Sequence, residues 1–171
     1  MARVIPLVPG PDGARRLCLE LPLMEGALFG SLPARLERVL TDPGSHRRVL
    51  ERLFPPSYSD AGQERENRRL LGGALLDGRR ELLRGIKSLI VAAESGPEGL
   101  RVVLGDAEAD LLLRFVNDLR LLLATELGLE KNLGEVDLSP DDPAAPQYSL
   151  LVWLGGLESI MLDALLAPPP G

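Results

Sequence analysis

The chain has 171 residues, of which 45% are hydrophobic, and its formal net charge is −6. This length predicts one domain over residues 1–171, and the hydrophobic content excludes a globally disordered chain. The net negative charge argues against a general binder of nucleic acids or of anionic membranes. Leucine and alanine dominate the hydrophobic residues and only 4% of the chain is aromatic, which favours helix over sheet.

Residues 1–21 are predicted to form a β-hairpin. An apolar run at 4–8 is followed by the turn-forming sequence 9–13, and apolar residues then alternate with polar ones up to Leu21. Pro6 cannot donate a ladder hydrogen bond, so the first strand should be an edge strand.

Residues 22–54 are predicted to be helical, with a break near Ser31 because Pro33 cannot continue a helix. A proline-rich loop ends at Asp60, which is a helix-capping residue type. A long helix then covers 61–94. Its apolar face is predicted to contain Leu71, Leu75, Leu82, Leu83, Ile86, Leu89 and Ile90, and its other face Arg65, Arg68, Arg69, Arg79, Arg80 and Arg84. Gly72, Gly73 and Gly78 weaken the helix and predict either a kink or a close contact with a neighbour.

Residues 100–104 are a short strand candidate that could join the hairpin. The central helix covers 106–128, with Asp106 as its N-cap and Gly128 at its end. Apolar residues recur there on two stripes, so this helix should lie in the middle of the core.

An acidic, proline-containing link at 129–146 is predicted to be a loop, and the last helix covers 146–166. Gly155 and Ser159 lie on one side of that helix, where a partner helix can approach closely. The longest uncharged run has 15 residues, against about 20 for a membrane span, and no signal peptide is recognised. A cytoplasmic protein with no membrane contact is therefore expected.

The predicted fold class is mainly α: a bundle of four to five helices with a small N-terminal β-hairpin and one further short strand. No metal, cofactor or catalytic residue is predicted, because the chain has one cysteine, Cys18, and one histidine, His46. Cys18 is expected in or near the core, and His46 at the surface.

Three polar residues of the central helix are singled out as structural or interaction residues: Asn117, Asp118 and Arg120. One interpretation is a structural salt-bridge ladder of Asp110, Arg114 and Asp118, with Asn117 or Arg120 bonded to a buried loop. The other is a polar pocket or a partner surface. Tyr148 and Trp153 lie on different faces of the last helix, so one of them is expected in the core and the other at its rim, where an exposed aromatic residue suggests a contact site. Tyr58 is a further candidate structural or interaction residue.

Charge is distributed unevenly along the chain. Residues 35–90 carry 12 basic and 8 acidic side chains, whereas residues 91–171 carry 4 basic and 14 acidic ones. Because acidic residues are interleaved with the arginines of 61–94, a solvated helix face is favoured over a DNA-binding surface.

Three segments resemble one protein family. Residues 52–60, with Pro55, Tyr58 and Asp60, are similar to its Leu-Pro-x-x-Tyr-x-Asp segment, and residues 116–121 to its "LNDLRL" helix. Residues 148–154 are similar to its last helix. The family is the domain-of-unknown-function family numbered two thousand and seventeen, whose members are bacterial, largely actinobacterial, and often encoded near the protease adaptor ClpS.

The resemblance implies a link to regulated proteolysis and supplies no catalytic residues. The leading expectation is a non-enzymatic cytoplasmic interaction or regulatory domain, with another protein or a second copy of the chain as partner. The alternatives are a DNA-associated transcriptional regulator using the arginines of 61–94, and an enzyme with a pocket around Asp118 and Arg120.

Overall fold

The structure is a computed structural model that describes residues 1–11, 13–129 and 141–167. These residues form four strands and six helices. In chain order they are β1 Arg3–Leu7, β2 Arg16–Pro22, α1 Leu23–Ser31, α2 Pro33–Thr41, α3 Arg47–Leu53, α4 Ala61–Ala92, β3 Glu94–Gly96, β4 Gly99–Leu104, α5 Asp106–Glu126 and α6 Ala145–Leu166. The predicted fold class is confirmed: the protein is mainly α with a small N-terminal hairpin.

The strands form one antiparallel sheet in the order β1-β2-β4-β3. Alternate residues of β2 and β4 turn their apolar side chains to the core, among them Leu17, Leu19 and Val102, which are almost fully buried. The strand at 100–104 pairs with the hairpin, and β1 is an edge strand, as Pro6 predicted. Cys18 is buried. Asp12 of the predicted turn lies outside the described residues.

Helix α5 is the centre of the core. Both of its predicted apolar stripes are occupied, with Leu112, Phe115, Leu119 and Leu123 buried. Helix α6 packs along α5 through residues such as Leu154. The link at 129–146 lies outside the described residues from 130 to 140.

Several helix ends follow from local sequence. Asp60 caps α4, because its side chain accepts hydrogen bonds from the N–H groups of Gly62 and Gln63 at 3.0 and 2.8 Å. Gly128 has a φ of 70° and follows the end of α5, as predicted. The break at Ser31 is also present.

The prediction for the start of α5 was wrong by one residue. Gly105 is the N-cap, and Asp106 is the first helical residue. The N-terminus of α5 is capped by a hydrogen bond that the Gly105 N–H donates to the Glu108 carboxylate at 3.0 Å.

Helix α4 differs from its prediction at both ends. It stops at Ala92, and Glu94 starts the short strand β3 instead of ending the helix. At its N-terminal end, Leu71 and Leu75 continue the spacing of the core stripe but are 49% and 43% exposed. Only Leu82, Leu83 and Ile86 of this helix are buried. In its first five turns, Leu76 is partly buried against the core, and Leu70, Leu71 and Leu75 are exposed.

The close contact that was one of the two roles predicted for the glycines of α4 is not found there. A Cβ at Gly72, Gly73 or Gly78 would meet nothing within 4 Å, so none of the described residues packs closely on the helix at these positions. The close approach occurs at Gly85 instead, where a Cβ would lie 2.7 Å from a methyl group of Leu111 on α5. Gly85 therefore sets the distance between α4 and α5.

Candidate functional site

The polar residue at the centre of the molecule is Asp118, whose exposure is 1%. Its Oδ2 lies 2.8 Å from Nε of Arg79 on α4. Among the described residues neither atom has a hydrogen-bond partner of acceptable geometry, so the contact is an ion pair without directional alignment. Burial raises the pKa of the Asp118 carboxyl to about 6, although the charges of Arg79 and Arg114 act to lower it.

Arg79 also connects this carboxylate to α3. Its guanidinium carbon lies 5.6 Å from the centre of the Phe54 ring, in a cation–π contact. Phe54 follows the last residue of α3, so one linkage of Phe54, Arg79 and Asp118 joins α3, α4 and α5. Arg79 was predicted on the solvent face of α4. Instead its side chain points inward, because its positive charge offsets the cost of burying the Asp118 carboxylate.

The predicted ladder on α5 is therefore only half present. Arg114 pairs with Asp110, whereas Asp118 makes its ion pair with α4. Arg120 pairs with Glu158 of α6. Asn117 is exposed and donates no side-chain hydrogen bond to another described residue. The three candidate residues of this helix thus point in three directions and do not share one pocket.

Trp153 and Tyr148 are both half-buried on α6. Trp153 packs against the core, and its Nε1–H donates to the Glu25 carboxylate at 3.0 Å. The Ala2 N–H donates to the same carboxylate at 2.9 Å. Burial acts to raise the pKa of Glu25, but these hydrogen bonds outweigh it and the pKa is lowered. Trp153 therefore ties α6 to α1.

Tyr58 lies in the loop between α3 and α4 and is exposed. The loop is held by Glu64, which accepts hydrogen bonds from the N–H groups of Ser57 and Tyr58 at 2.9 and 3.1 Å. Arg68 pairs with Glu64 at 2.7 Å and donates to the Phe54 carbonyl at 3.0 Å. Burial acts to raise the pKa of Glu64, but these contacts outweigh it and the pKa is lowered. The loop is thereby fixed against α4.

An apolar groove lies between this loop, α3 and the first turns of α4. We call it the α3–α4 groove. Its cavity measures about 220 Å³, and its lining residues are Leu50, Phe54, Pro55, Ser57, Glu64, Asn67, Arg68, Gly72, Leu75 and Leu76. Leu70 and Leu71, beside it on α4, are 62% and 49% exposed. Sequence reasoning missed this groove, because it assigned Leu71 and Leu75 to the same apolar face of the helix as the buried Leu82, Leu83 and Ile86.

Larger hollows elsewhere on the molecule are more polar, and two of them lie at the sheet. One of about 740 Å³ lies at the end of the sheet, where Arg3 and Arg101 pair with Glu20. The other, of about 440 Å³, lies between the hairpin and the end of α6. Neither Asp118 nor Arg120 lines these hollows or the α3–α4 groove. Within the part of the chain that the structure describes, no group of histidine, cysteine and carboxylate side chains is placed to hold a metal ion.

The arginines of α4 are largely paired. Arg68, Arg69, Arg80 and Arg84 form ion pairs with carboxylates three or four residues away on the same helix. With Arg79 paired to Asp118, Arg65 is the member of the predicted arginine face for which the described residues show no ion pair. His46 is half-buried and forms the N-cap of α3.

Helix α6 is long and apolar enough to cross a membrane by length and composition, with a mean hydropathy of 1.6 over an 18-residue window. Its inner face, which includes Leu150, Leu154 and Met161, lies in the core. Core helices of soluble proteins meet the same criteria of length and composition, and 28% of this window is buried.

Comparison with protein families matches residues 7–165 to a family described as a domain of unknown function, DUF2017. The searches of curated proteins and of solved structures found no match. The family match begins within the N-terminal hairpin, which the three motif segments did not cover. It ends one residue before the last helix does, so the second strand of the hairpin, the α3–α4 groove and the six helices lie inside it except for the last residue of α6. The chain belongs to the DUF2017 family.

Proposed function

We propose that this chain is a cytoplasmic protein-interaction domain of a bacterial protein, and that the α3–α4 groove receives an apolar segment of a partner protein. The observation that carries the proposal is the groove itself, with Leu70, Leu71 and Leu75 exposed along one helix. Burying apolar surface stabilises by about 25 cal/mol per Å². Adjacent exposed leucines on a helix that leaves the core are typical of a partner surface.

The size and shape of the groove favour a short helix or an extended segment as the occupant. A partner helix that inserts apolar residues at positions i, i+3 or i+4, and i+7 would contact Leu50, Phe54 and Leu75 in turn. Gly72 lines the groove without a side chain, which lets a partner backbone come close.

The walls of the groove are held by contacts outside it. The Arg79 guanidinium packs on Phe54 and is paired with buried Asp118. On the other side, Arg68 and Glu64 fix the loop at residues 54–58. A groove with fixed walls loses less conformational entropy on binding than a flexible one, and this favours affinity.

The alternatives receive less support from the geometry. Ion pairs within α4 neutralise most of its arginines, which weakens the case for a DNA-binding face. Asp118 lies in the core next to Arg79, which weakens the case for an enzyme pocket. A link to regulated proteolysis remains part of the proposal, and adaptors and proteases are the first partners to look for.

The test places a photo-crosslinking amino acid at Leu75 in the groove. The matched control carries it at Val91, which is 86% exposed at the other end of the same helix. After irradiation in the native host, we expect one partner to be crosslinked from position 75 and not from position 91. Leu75→Glu should abolish co-purification of that partner without lowering the melting temperature, since Leu75 is half-exposed. Equal crosslinking from both positions, or binding that survives Leu75→Glu, would contradict the proposal.

A further inference from the structure

The α3–α4 groove continues into a second hollow beside helix α3. This hollow measures about 520 Å³, and Arg47 and Glu51 of α3 are among the residues that line it. Leu50 and Arg68 line both the groove and the hollow. A segment that lies in the groove therefore passes the Arg68 guanidinium and then reaches the hollow beside Arg47.

The ion pairs at this end of the groove turn their cations toward solvent. The side chain of Arg68 is 43% exposed, whereas that of its partner Glu64 is 15% exposed. In the pair of Arg47 and Glu51 the side chains are 83% and 51% exposed. Glu64 also accepts hydrogen bonds from the N–H groups of residues 57 and 58, which hold it against the loop. A partner that approaches this end therefore meets the arginine side chains before it meets the carboxylates.

A third arginine, Arg65, lies one turn before Arg68 on the same side of α4. It is exposed and has no ion pair among the described residues. Arg68 itself donates from Nε to Glu64 and from Nη2 to the Phe54 carbonyl. Because a guanidinium has five N–H donors, Arg68 can donate further hydrogen bonds to a partner. The end of the groove thus presents three cations beside an apolar cavity.

We propose, building on the function proposed above, that the partner segment carries an aspartate or glutamate beside its apolar residues. Its apolar side chains fill the groove beside Phe54 and Leu75, and its carboxylate binds Arg68 and one of the other two arginines. Guanidinium groups bind carboxylates through paired, charge-assisted hydrogen bonds. Residues 35–90 carry 12 basic and 8 acidic side chains, so their field also attracts an acidic partner.

A nucleic acid is the competing anionic partner, and the groove suits it less well. A nucleic acid brings many phosphates and no aliphatic side chains to fill the apolar part of the groove. The carboxylates of Glu51 and Glu66 are about half-exposed on either side of the arginines and would repel a chain of phosphates. A protein segment supplies apolar side chains and a single carboxylate together.

The outer side of α6 is another uncovered surface, and it lacks this combination. The helix approach that the sequence predicted at Gly155 and Ser159 is absent among the described residues, because a Cβ at Gly155 would meet nothing within 4 Å. Helix α6 has no basic residue, so nothing on it selects a partner by charge. The α3–α4 groove can select its partner by charge as well as by shape.

The first test selects peptides without assuming a partner. Random peptides of about 16 residues, long enough for a helix of about 24 Å, are displayed on phage and selected on the immobilised full chain. Each recovered peptide is then retested on Leu75→Gln, a neutral change that removes an apolar contact of the groove. We expect the peptides that lose binding to this variant to contain an aspartate or glutamate near their apolar residues more often than the unselected library does.

The second test removes the cations. The tightest of these groove-dependent peptides is labelled with fluorescein, capped at both ends and titrated by fluorescence anisotropy. Arg47→Gln combined with Arg65→Gln should weaken its binding at least about fivefold at low salt, and by less at high salt, which screens exposed charges. Arg80→Gln combined with Arg84→Gln is the matched control, because it removes the same charge from exposed arginines of α4 that lie beyond the groove. The control should change the affinity by less than about twofold.

The outcomes separate this proposal from the function on which it rests. Groove-dependent peptides without an excess of acidic residues, or equal weakening by the two double variants, would overturn the acidic partner and leave the groove as a binding site. If no recovered peptide depends on Leu75, both proposals lose their support. Two further results would also overturn an acidic protein segment as the occupant. One is tight binding of a labelled duplex DNA that is lost in the Arg47 and Arg65 double variant. The other is a dimer, detected by light scattering, that Leu75→Gln dissociates.

Discussion

The buried carboxyl group of Asp118 makes the stability of the protein depend on pH in an unusual direction. Burial raises the pKa of Asp118 from 3.8 to about 6. The folded protein therefore binds a proton that the unfolded chain has already lost between these values, and its stability falls as pH rises through that interval. At about 1.4 kcal/mol per pKa unit, the loss is about 3 kcal/mol by pH 7.

Asp118→Asn isolates this effect, because the amide has nearly the same shape and does not titrate. We expect the free energy of unfolding of the wild type, measured by urea denaturation, to fall relative to the variant between pH 4 and pH 7. Carboxylates with lowered pKa values, such as Glu25 and Glu64, act in the opposite direction but are common to both proteins. Parallel pH profiles for the two proteins would show that Asp118 does not titrate in this range.

Arg79→Ala should be among the most destabilising changes in α4. It leaves a buried carboxylate without its cation and removes the contact with Phe54, at a cost of about 3 kcal/mol or more at pH 8. The cost should be smaller at pH 5, where Asp118 is protonated. Arg80→Ala is the control, because its exposed pair with Asp77 is worth less than about 1 kcal/mol. Similar melting temperatures for the two variants would contradict the structural role of Arg79.

The sequence identified Asp118 but not its partner. An aspartate on a helix with two apolar stripes needs a cation, so the residue could be singled out from its context alone. Six arginines stand on 61–84, and Arg79 lies three, four and seven residues before the buried Leu82, Leu83 and Ile86. That spacing was the available signal, but only the packing of α4 on α5 shows which arginine faces the core.

At the scale of elements, the glycines of α4 predict a gain in stability. Gly73→Ala combined with Gly78→Ala should raise the free energy of unfolding by up to about 2 kcal/mol, since alanine favours helix by about 1 kcal/mol at each position. Both Cβ atoms would enter open space. Gly72 is left unchanged because it lines the α3–α4 groove.

Gly85→Ala is the control in the same helix. Its Cβ would lie 2.7 Å from Leu111, which has to move. We therefore expect this substitution to gain less than the others or to destabilise, as measured by urea denaturation. An equal gain at all three positions would mean that α4 and α5 do not approach closely at Gly85.

The turn between β3 and β4 depends on one glycine. Gly99 has a φ of 133°, and a Cβ there would lie 2.0 Å from the Leu21 carbonyl oxygen. Side chains are excluded by both the backbone conformation and the space. Gly99→Ala should lower the free energy of unfolding by about 3 kcal/mol or more. It should also reduce the soluble yield of the protein. A variant with the wild-type melting temperature would contradict the geometry of this turn.

Elements were predictable where local chemistry determines them. The cap at Asp60 follows from the hydrogen bonds that its side chain accepts. The end at Gly128 and the break before Pro33 each follow from the backbone preference of one residue. The strand β3 has three residues and no periodicity, so only its pairing with β4 defines it. Leu71 and Leu75 keep the spacing of a core stripe, but a stripe does not show where the core ends. For the same reason the α3–α4 groove could not be predicted from the sequence.

At the scale of the whole molecule, helix α5 connects helices that come from parts of the chain with opposite net charge. Residues 35–90 carry 12 basic and 8 acidic side chains, whereas residues 91–171 carry 4 basic and 14 acidic ones. The ion pairs Arg79–Asp118 and Arg120–Glu158 connect α5 to α4 on one side and to α6 on the other. The α3–α4 groove belongs to the basic part of the chain.

This arrangement predicts a gradient of protection along α4. The amides of residues 61–78 belong to turns with no buried side chain, whereas those of 82–92 follow the buried Leu82, Leu83 and Ile86. Local opening is easiest where few apolar contacts hold the backbone. Hydrogen exchange followed by mass spectrometry should therefore show faster exchange at 61–78 than at 82–92 or in α5. Binding of a partner in the α3–α4 groove should slow exchange at 61–78 and leave α6 unchanged. Uniform protection along α4 in the free protein would instead mean that its first turns are already covered, which would argue against an open groove.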